Sequence, residues 1–161
     1  MKYTLSVLVE NQAGVLSKIS GLFSRRGFNL DSLAVGIAET PNLSRITIVV
    51  NGDEYLIEQL EKQLNKLISV VKVKVLDNNT ISRELALIKV NANSKTRFEI
   101  IKIAEVTKSN IANISANTIT IECSNTTDHI ETLIMLLKPY GIKQIARTGT
   151  VALENGDSSA K

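Results

Sequence analysis

One histidine, one cysteine and one Asn-to-Gly turn are the places in this 161-residue chain where side-chain chemistry has material to work with. Cys123 and His129 stand six positions apart across a turn, close enough for a thiol–imidazole pair to be considered. Their surroundings argue against it. Cys123 closes the alternating run TITIEC, where a small buried thiol fits, and His129 falls near the start of a helix-like segment, an ordinary surface position. One histidine and one cysteine cannot fill a zinc site. The carboxylates are scattered along helix faces, where solvated charge is their usual state. No catalytic residue and no metal ligand is therefore expected.

The stretch VENQAGVL, residues 9–16, offers a different chemistry. A strand runs through Asn11-Gln12-Ala13-Gly14 straight into a helix. The first amides of a helix lack internal partners and carry partial positive charge, so such a junction suits a small carboxylate. Gly14 leaves the backbone approachable where a Cβ would intrude. Asn11 both donates and accepts, which suits a zwitterion. Val9, Val15 and Leu16 offer apolar surface to an aliphatic side chain. A plain tight turn, with Asn11 satisfying its own backbone, explains the same residues equally well. The single glycine is too few for a phosphate-cradling loop.

The elements that must position this turn are legible from periodicity. Leu5, Val7 and Val9 alternate with Thr4, Ser6 and Leu8, a strand in which Leu8 breaks the polar alternation and points to cover on the second sheet face. Val15, Leu16, Ile19, Leu22 and Phe23 have helical spacing, ended by Arg26-Gly27. Strands follow around 29–38 and over Arg45–Val50, with Thr40-Pro41-Asn42 as the turn between them. Asp53 is placed to cap a helix carrying Leu56, Ile57, Leu60, Leu64 and Leu67, and Val71, Val73 and Val75 make a fourth strand. This βαββαβ order then repeats: a strand in LALIKV, a helix begun by the capping-box spacing of Thr96 and Glu99, a hairpin about Ala116-Asn117, a helix capped by Thr127 or Asp128, and a last strand over Ile142–Arg147. The pattern predicts an α+β protein of two ferredoxin-like domains in tandem. Residues 1–77 form the first and 81–153 the second; the polar 154–161 are expected to be a disordered tail.

Composition narrows the classes further. The chain is 43% hydrophobic and 22% charged, a globular profile, with a net charge of +3 and a pI of about 9.0. The basic excess is not clustered: residues 1–76 carry nine Lys/Arg against seven Asp/Glu, and residues 77–161 ten against nine. Nucleic-acid binders concentrate their charge on one face, and RNA-binding sheets of this topology expose stacking aromatics that TLSVLVE and RITIVV lack. No nucleic-acid partner is expected. The N-terminus enters a strand pattern directly, so neither a signal or transit peptide nor a membrane span is expected. A lone cysteine suits a reducing compartment.

LSVLVENQAGVLSKISGLFSRRGFNLDSL resembles the opening of the small, regulatory subunits of acetolactate synthase (acetohydroxyacid synthase), and the likeness continues through LSRITIVVNGDEYLIEQLEKQLNKLISVVKV, RELALIKVNA and IARTGTVAL. Residues 3–76 carry the most specific likeness and residues 92–130 are more divergent. The resemblance implies that the first domain is an ACT domain, an amino-acid-sensing module that pairs between subunits and binds valine at the homodimer interface. Carried over by position, the valine site comprises Asn11, Ala13, Gly14 and Val15 of one subunit, with Asn29 and Leu30 supplied by the partner subunit. The family often has Ile or Val where Leu30 stands. The resemblance also implies a chain without catalysis or cofactors of its own. It would activate the large catalytic subunit, which holds thiamine diphosphate, FAD and magnesium, and confer valine feedback inhibition on branched-chain amino acid synthesis. The implied compartment is the bacterial cytoplasm, or the plastid stroma for a plastid-encoded chain. The alternative is a free-standing ACT sensor serving another enzyme or a transcription factor.

Overall fold

A computed structural model of the chain describes residues 1–156. They fall into two units, the first comprising Met1–Ile81 together with the chain from Thr150 onward, the second Ser82–Gly149. In the first unit the order is β1 (Lys2–Glu10), α1 (Val15–Arg25), β2 (Leu30–Ile37), β3 (Leu43–Asn51), α2 (Glu54–Leu64) and β4 (Val70–Leu76). The sheet is antiparallel with strand order β2-β3-β1-β4. In the second unit β5 (Thr80–Asn91, its first two residues counted with the first unit), α3 (Arg97–Val106), β6 (Asn110–Ile114), β7 (Thr118–Asn125), α4 (Thr127–Leu137) and β8 (Ile142–Arg147) repeat the topology as β6-β7-β5-β8. Both units are α+β and ferredoxin-like. β9 (Val151–Glu154) belongs to the first unit.

The first core forms where the inward residues of β1 and β3 (Leu5, Val7, Ile46, Ile48) meet Ile19 and Phe23 of α1 and Leu60 and Leu64 of α2. Helix α1 buries Val15, Ile19, Leu22 and Phe23 on one stripe, and burying each such side chain is worth about 1.5–3 kcal/mol. It ends in a Schellman motif: Phe28 N–H donates to the Phe23 carbonyl (3.1 Å) and Gly27 N–H to that of Ser24 (3.2 Å), with Gly27 at φ 68°. The Phe23 and Phe28 rings meet edge-to-face at 6.3 Å, the apolar contact that accompanies this cap. Asp53 caps α2 by accepting from Leu56 N–H at 2.8 Å.

Two details of the sequence reading, both helix caps, are corrected. The Thr96–Glu99 capping box does not form: Thr96 has helical torsions and caps nothing, while the Asn93 carboxamide oxygen accepts from the amides of Lys95 (2.9 Å) and Thr96 (3.0 Å). Helix α4 is capped by Thr126, not Thr127 or Asp128, because only Thr126 keeps the extended torsions a cap residue needs. Residues 150–153, assigned to the second domain by the sequence pattern, also hold to the first sheet, where Thr150 N–H donates to Ser32 Oγ (2.8 Å) and Glu154 pairs with Lys74. Of the stretch read as a tail, Glu154 ends β9 and residues 157–161 lie outside the described residues.

Candidate functional site

The turn between β1 and α1 is held by the β2–β3 turn. Asn11 N–H donates to the Asn42 carbonyl (2.8 Å), and Asn11 Nδ2 donates to the Pro41 carbonyl (2.9 Å). Pro41 has its torsion fixed by its ring, so this clamp is preset. Both bonds use donors of Asn11, which leaves its exposed Oδ1 as the acceptor the site presents. Gly14 starts the helix at φ 86°, a left-handed torsion favouring glycine, and a Cβ built on it meets nothing within 4 Å. No side chain caps α1. Among the described residues the amides of Leu16 and Ser17 meet no acceptor, and Val15 N–H reaches only the Gln12 carbonyl at 3.4 Å. A helix start with open amides, an approachable glycine and a neighbouring acceptor can take the carboxylate and the ammonium of one small zwitterion.

Asn11, Ala13 and Gly14 are exposed and adjacent, while Val15 is 5% exposed and turned into the core. The remaining two predicted residues are not brought to them. Leu30 is registered with Val50, and Val50 with Tyr3, whereas Asn11 follows Glu10 at the other end of β1. Seven residues of strand separate the two places, about 23 Å at the usual rise. Asn29 is exposed and Leu30 half-buried against the first core. The Pro41 and Asn42 carbonyls were not among the predicted site residues. The sequence signalled only a turn there, because a carbonyl's role leaves no trace in residue type.

The other chemistry-bearing residues are engaged structurally. His129 Nε2 lies 2.8 Å from the Thr107 carbonyl, and since a carbonyl cannot donate, Nε2 carries the proton. Cys123 is 2% exposed in the second core. Buried Glu84 accepts from Arg147 Nε (2.5 Å) and Nη2 (3.0 Å), while Arg147 Nη1 donates to Glu131 (2.6 Å). The Arg147 hydrogen bonds hold the Glu84 carboxyl below its ordinary range despite burial, and the same contact raises the arginine. This cluster ties β5, β8 and α4 together. A shallow depression of about 440 Å³ on α3 is lined by Phe98, Ile101, Lys102 and Glu105, one helix face without converging donors. The described residues contain no group of three potential metal-ligating side chains, and no helix is long and apolar enough to cross a membrane.

Comparison with known proteins addresses both units. Residues 5–72 match the ACT domain model of acetohydroxyacid synthase small subunits, and residues 83–156 match the model for the small subunit of acetolactate synthase. The acetolactate synthase small subunit of Mycolicibacterium smegmatis is 48% identical over 96% of this chain and 91% of its own length. The probable acetolactate synthase small subunit of Archaeoglobus fulgidus is 46% identical over 98% and 99%. The crystal structure of the Thermotoga maritima acetolactate synthase small subunit superposes with a TM-score of 0.92 at 41% identity, covering 98% of this chain and 99% of that one. With both halves matched and near full-length relatives at such identity, the chain belongs to the acetolactate synthase small-subunit family, its first unit an ACT domain.

Proposed function

We propose that the chain is the non-catalytic, regulatory subunit of an acetolactate synthase, raising the activity of a large catalytic subunit and making it sensitive to valine. Thiamine diphosphate, FAD and magnesium then belong to that partner, and the chain acts in branched-chain amino acid synthesis. The observation that carries the reading is the uncapped start of α1 at Gly14 beside the clamped Asn11. The helix amides take the carboxylate, Asn11 Oδ1 takes the ammonium, and the side chain meets the apolar flank. Valine has about eight non-hydrogen atoms, and at roughly 0.7–1 kcal/mol each binding is worth about 6–8 kcal/mol. That corresponds to a Kd of about 1–40 μM.

The site requires two copies. β2 is an edge strand of the first sheet, and Val35 and Ile37 on it are 48% and 72% exposed. A second copy pairing there buries this edge and supplies Asn29 and Leu30 of the partner subunit to Asn11 and Gly14, which one chain cannot do alone. Sensing and dimerisation are then inseparable. Calorimetric titration with valine, leucine and isoleucine, alongside acetolactate formation on mixing with the large subunit, tests the reading. Activation with valine-dependent inhibition is expected. Absence of both, with capture of a different enzyme or a transcription factor, overturns it in favour of a free-standing sensor.

A further inference from the structure

Helices cover only one face of the first sheet. On the other, Ser6, Leu8, Thr47 and Val49 are nonetheless at most 9% exposed, and β9 lies against β1. The C-terminal segment crosses this face with anchors on both edge strands. Thr150 N–H donates to Ser32 Oγ on β2 (2.8 Å), and Glu154 pairs with Lys74 on β4. Just beyond, Asn155 N–H donates to the Asn79 carbonyl (2.9 Å). Ala152, 5% exposed, is buried between the anchors.

Ser32 reaches this segment because β2 contains a bulge. The register passes from Leu30 opposite Val50 to Ser32 opposite Val49, so Asp31 is the extra residue. In a regular strand residues two apart share a face. Here Leu30 goes with Val50 toward the helices, while Ser32 goes with Val49 toward the C-terminal segment. Asp31 is held by Asn51 Nδ2 at 2.9 Å and Lys2 Nζ at 3.4 Å. The bulge is a fixed pivot with Asn29–Leu30 on one side and Ser32 on the other.

We propose that Thr150–Glu154 is a strap through which occupancy of the amino-acid site acts on the second unit, with Ser32 as the positioning residue that couples them. This rests on the reading of Asn29 and Leu30 as part of that site. Thr150 follows directly on Gly149, where the second unit ends. A ligand that draws on Asn29–Leu30 turns the bulge, and the bond from the Thr150 amide to Ser32 Oγ carries that turn into the strap. A ligand shifts an equilibrium only through contacts that differ between its states, and with this bond kept the contacts of the strap are the ones that differ.

The test uses the full chain with the large catalytic subunit. Ser32→Ala removes the acceptor from a partly exposed edge strand. Valine binding by calorimetry and valine-free activation are expected to stay within twofold of wild type. The valine concentration for half-inhibition is expected to rise about threefold to tenfold, the range one hydrogen bond sets, and Ser32→Thr, which keeps the hydroxyl, restores it. In the unaltered protein, valine is expected to change hydrogen exchange at the 150–154 amides by at least about threefold. Wild-type binding of valine with Ser32→Ala inhibited as wild type, or exchange untouched by valine, overturns the strap. So does loss of valine-free activation in step with inhibition, the mark of a mere brace. A wild-type chain that takes up no valine overturns the site itself, and the strap with it.

Discussion

The two units share one topology and differ most where the first strand turns into the first helix. In the second unit Asn93 folds its carboxamide oxygen onto the amides of Lys95 and Thr96, so the helix start is satisfied from within. In the first unit Asn11 points the other way, its Nδ2 spent on the Pro41 carbonyl, and α1 begins at a left-handed glycine with open amides. An asparagine thus caps one helix and leaves the other free. The second unit also spends charge on its own closure, through Glu84, Arg147 and Glu131. One βαββαβ fold leaves its first helix start open or seals it according to where a single carboxamide points.

The largest effect expected is at Gly14. Gly14→Asp places a carboxylate where the proposed site receives that of valine. The Cβ meets open space and Asp tolerates left-handed torsions better than most residues, so the cost to folding is confined to torsional strain of about 1–2 kcal/mol. Calorimetry is expected to show valine affinity falling by about a hundredfold or more, since like charges in contact cost several kcal/mol. Activation of the catalytic subunit is expected to be largely retained. Unchanged valine inhibition breaks the comparison at its root, because the open turn would then hold nothing.

Next in size is the closure of the second unit. Glu84→Gln leaves Arg147 with a neutral partner, and urea denaturation is expected to show about 2 kcal/mol lost. The pH dependence follows from the Arg147 hydrogen bonds that hold this carboxyl below its ordinary value of 4.5. A carboxyl depressed in the folded state stabilises fully above its unfolded pKa, and that stability fades as pH falls through the folded value. Wild type is therefore expected to lose stability below about pH 4.5 with a slope that Glu84→Gln lacks. Equal acid slopes in the two proteins would remove the cluster from the account.

Much of this was readable beforehand because it is periodic. Period-two runs such as VKVKV and the stripe from Val15 to Phe23 set the element order, and Leu8 in an outward position points to the covered second face, where it is 7% exposed. Asp53 was legible as a cap because its contact is local. Asn93 was not: its bonds depend on Thr96 adopting helical torsions, and Thr96-x-x-Glu99 matches a capping box that the backbone does not form. The clamp on Asn11 and the bulge at Asp31 were hidden for a related reason. Both are set by register between strands distant in sequence, which residue types do not record. Of the six residues assigned to the site, Asn11, Ala13 and Gly14 lie together on the surface, Val15 turns into the core, and Asn29 and Leu30 lie at the other end of the sheet.

A smaller effect is expected at Asn93 itself. Asn93→Ala frees the amides of Lys95 and Thr96 and is expected to cost about 1 kcal/mol in urea denaturation, the usual worth of a cap. Calorimetry is expected to show no second valine equivalent. The position corresponding to Gly14 is Thr96, whose Cβ and helical torsions close the approach. A second equivalent would mean that the asparagine alone separates receptor from brace, and that the glycine is incidental.

The smallest effect separates the other ends of the same two helices. Both α1 and α3 finish in a Schellman motif, with Ser109 N–H donating to the Ala104 carbonyl (2.8 Å) as Phe28 does to Phe23. The left-handed residue is Gly27 at φ 68° in one and Lys108 at φ 52° in the other. A residue with a Cβ pays about 1–2 kcal/mol there, against the roughly 0.5–1 kcal/mol of extra chain entropy that glycine loses on folding. Lys108→Gly is therefore expected to stabilise the protein by about 0.5 kcal/mol, read as a raised urea midpoint at unchanged slope. Lys108 is exposed, so little packing is lost with it. An unchanged or lowered midpoint would show that its ammonium recovers the strain by interacting with the last carbonyls of α3, the favourable end of the helix dipole for a cation. The second unit would then close both ends of its first helix with side chains where the first unit relies on glycine at both.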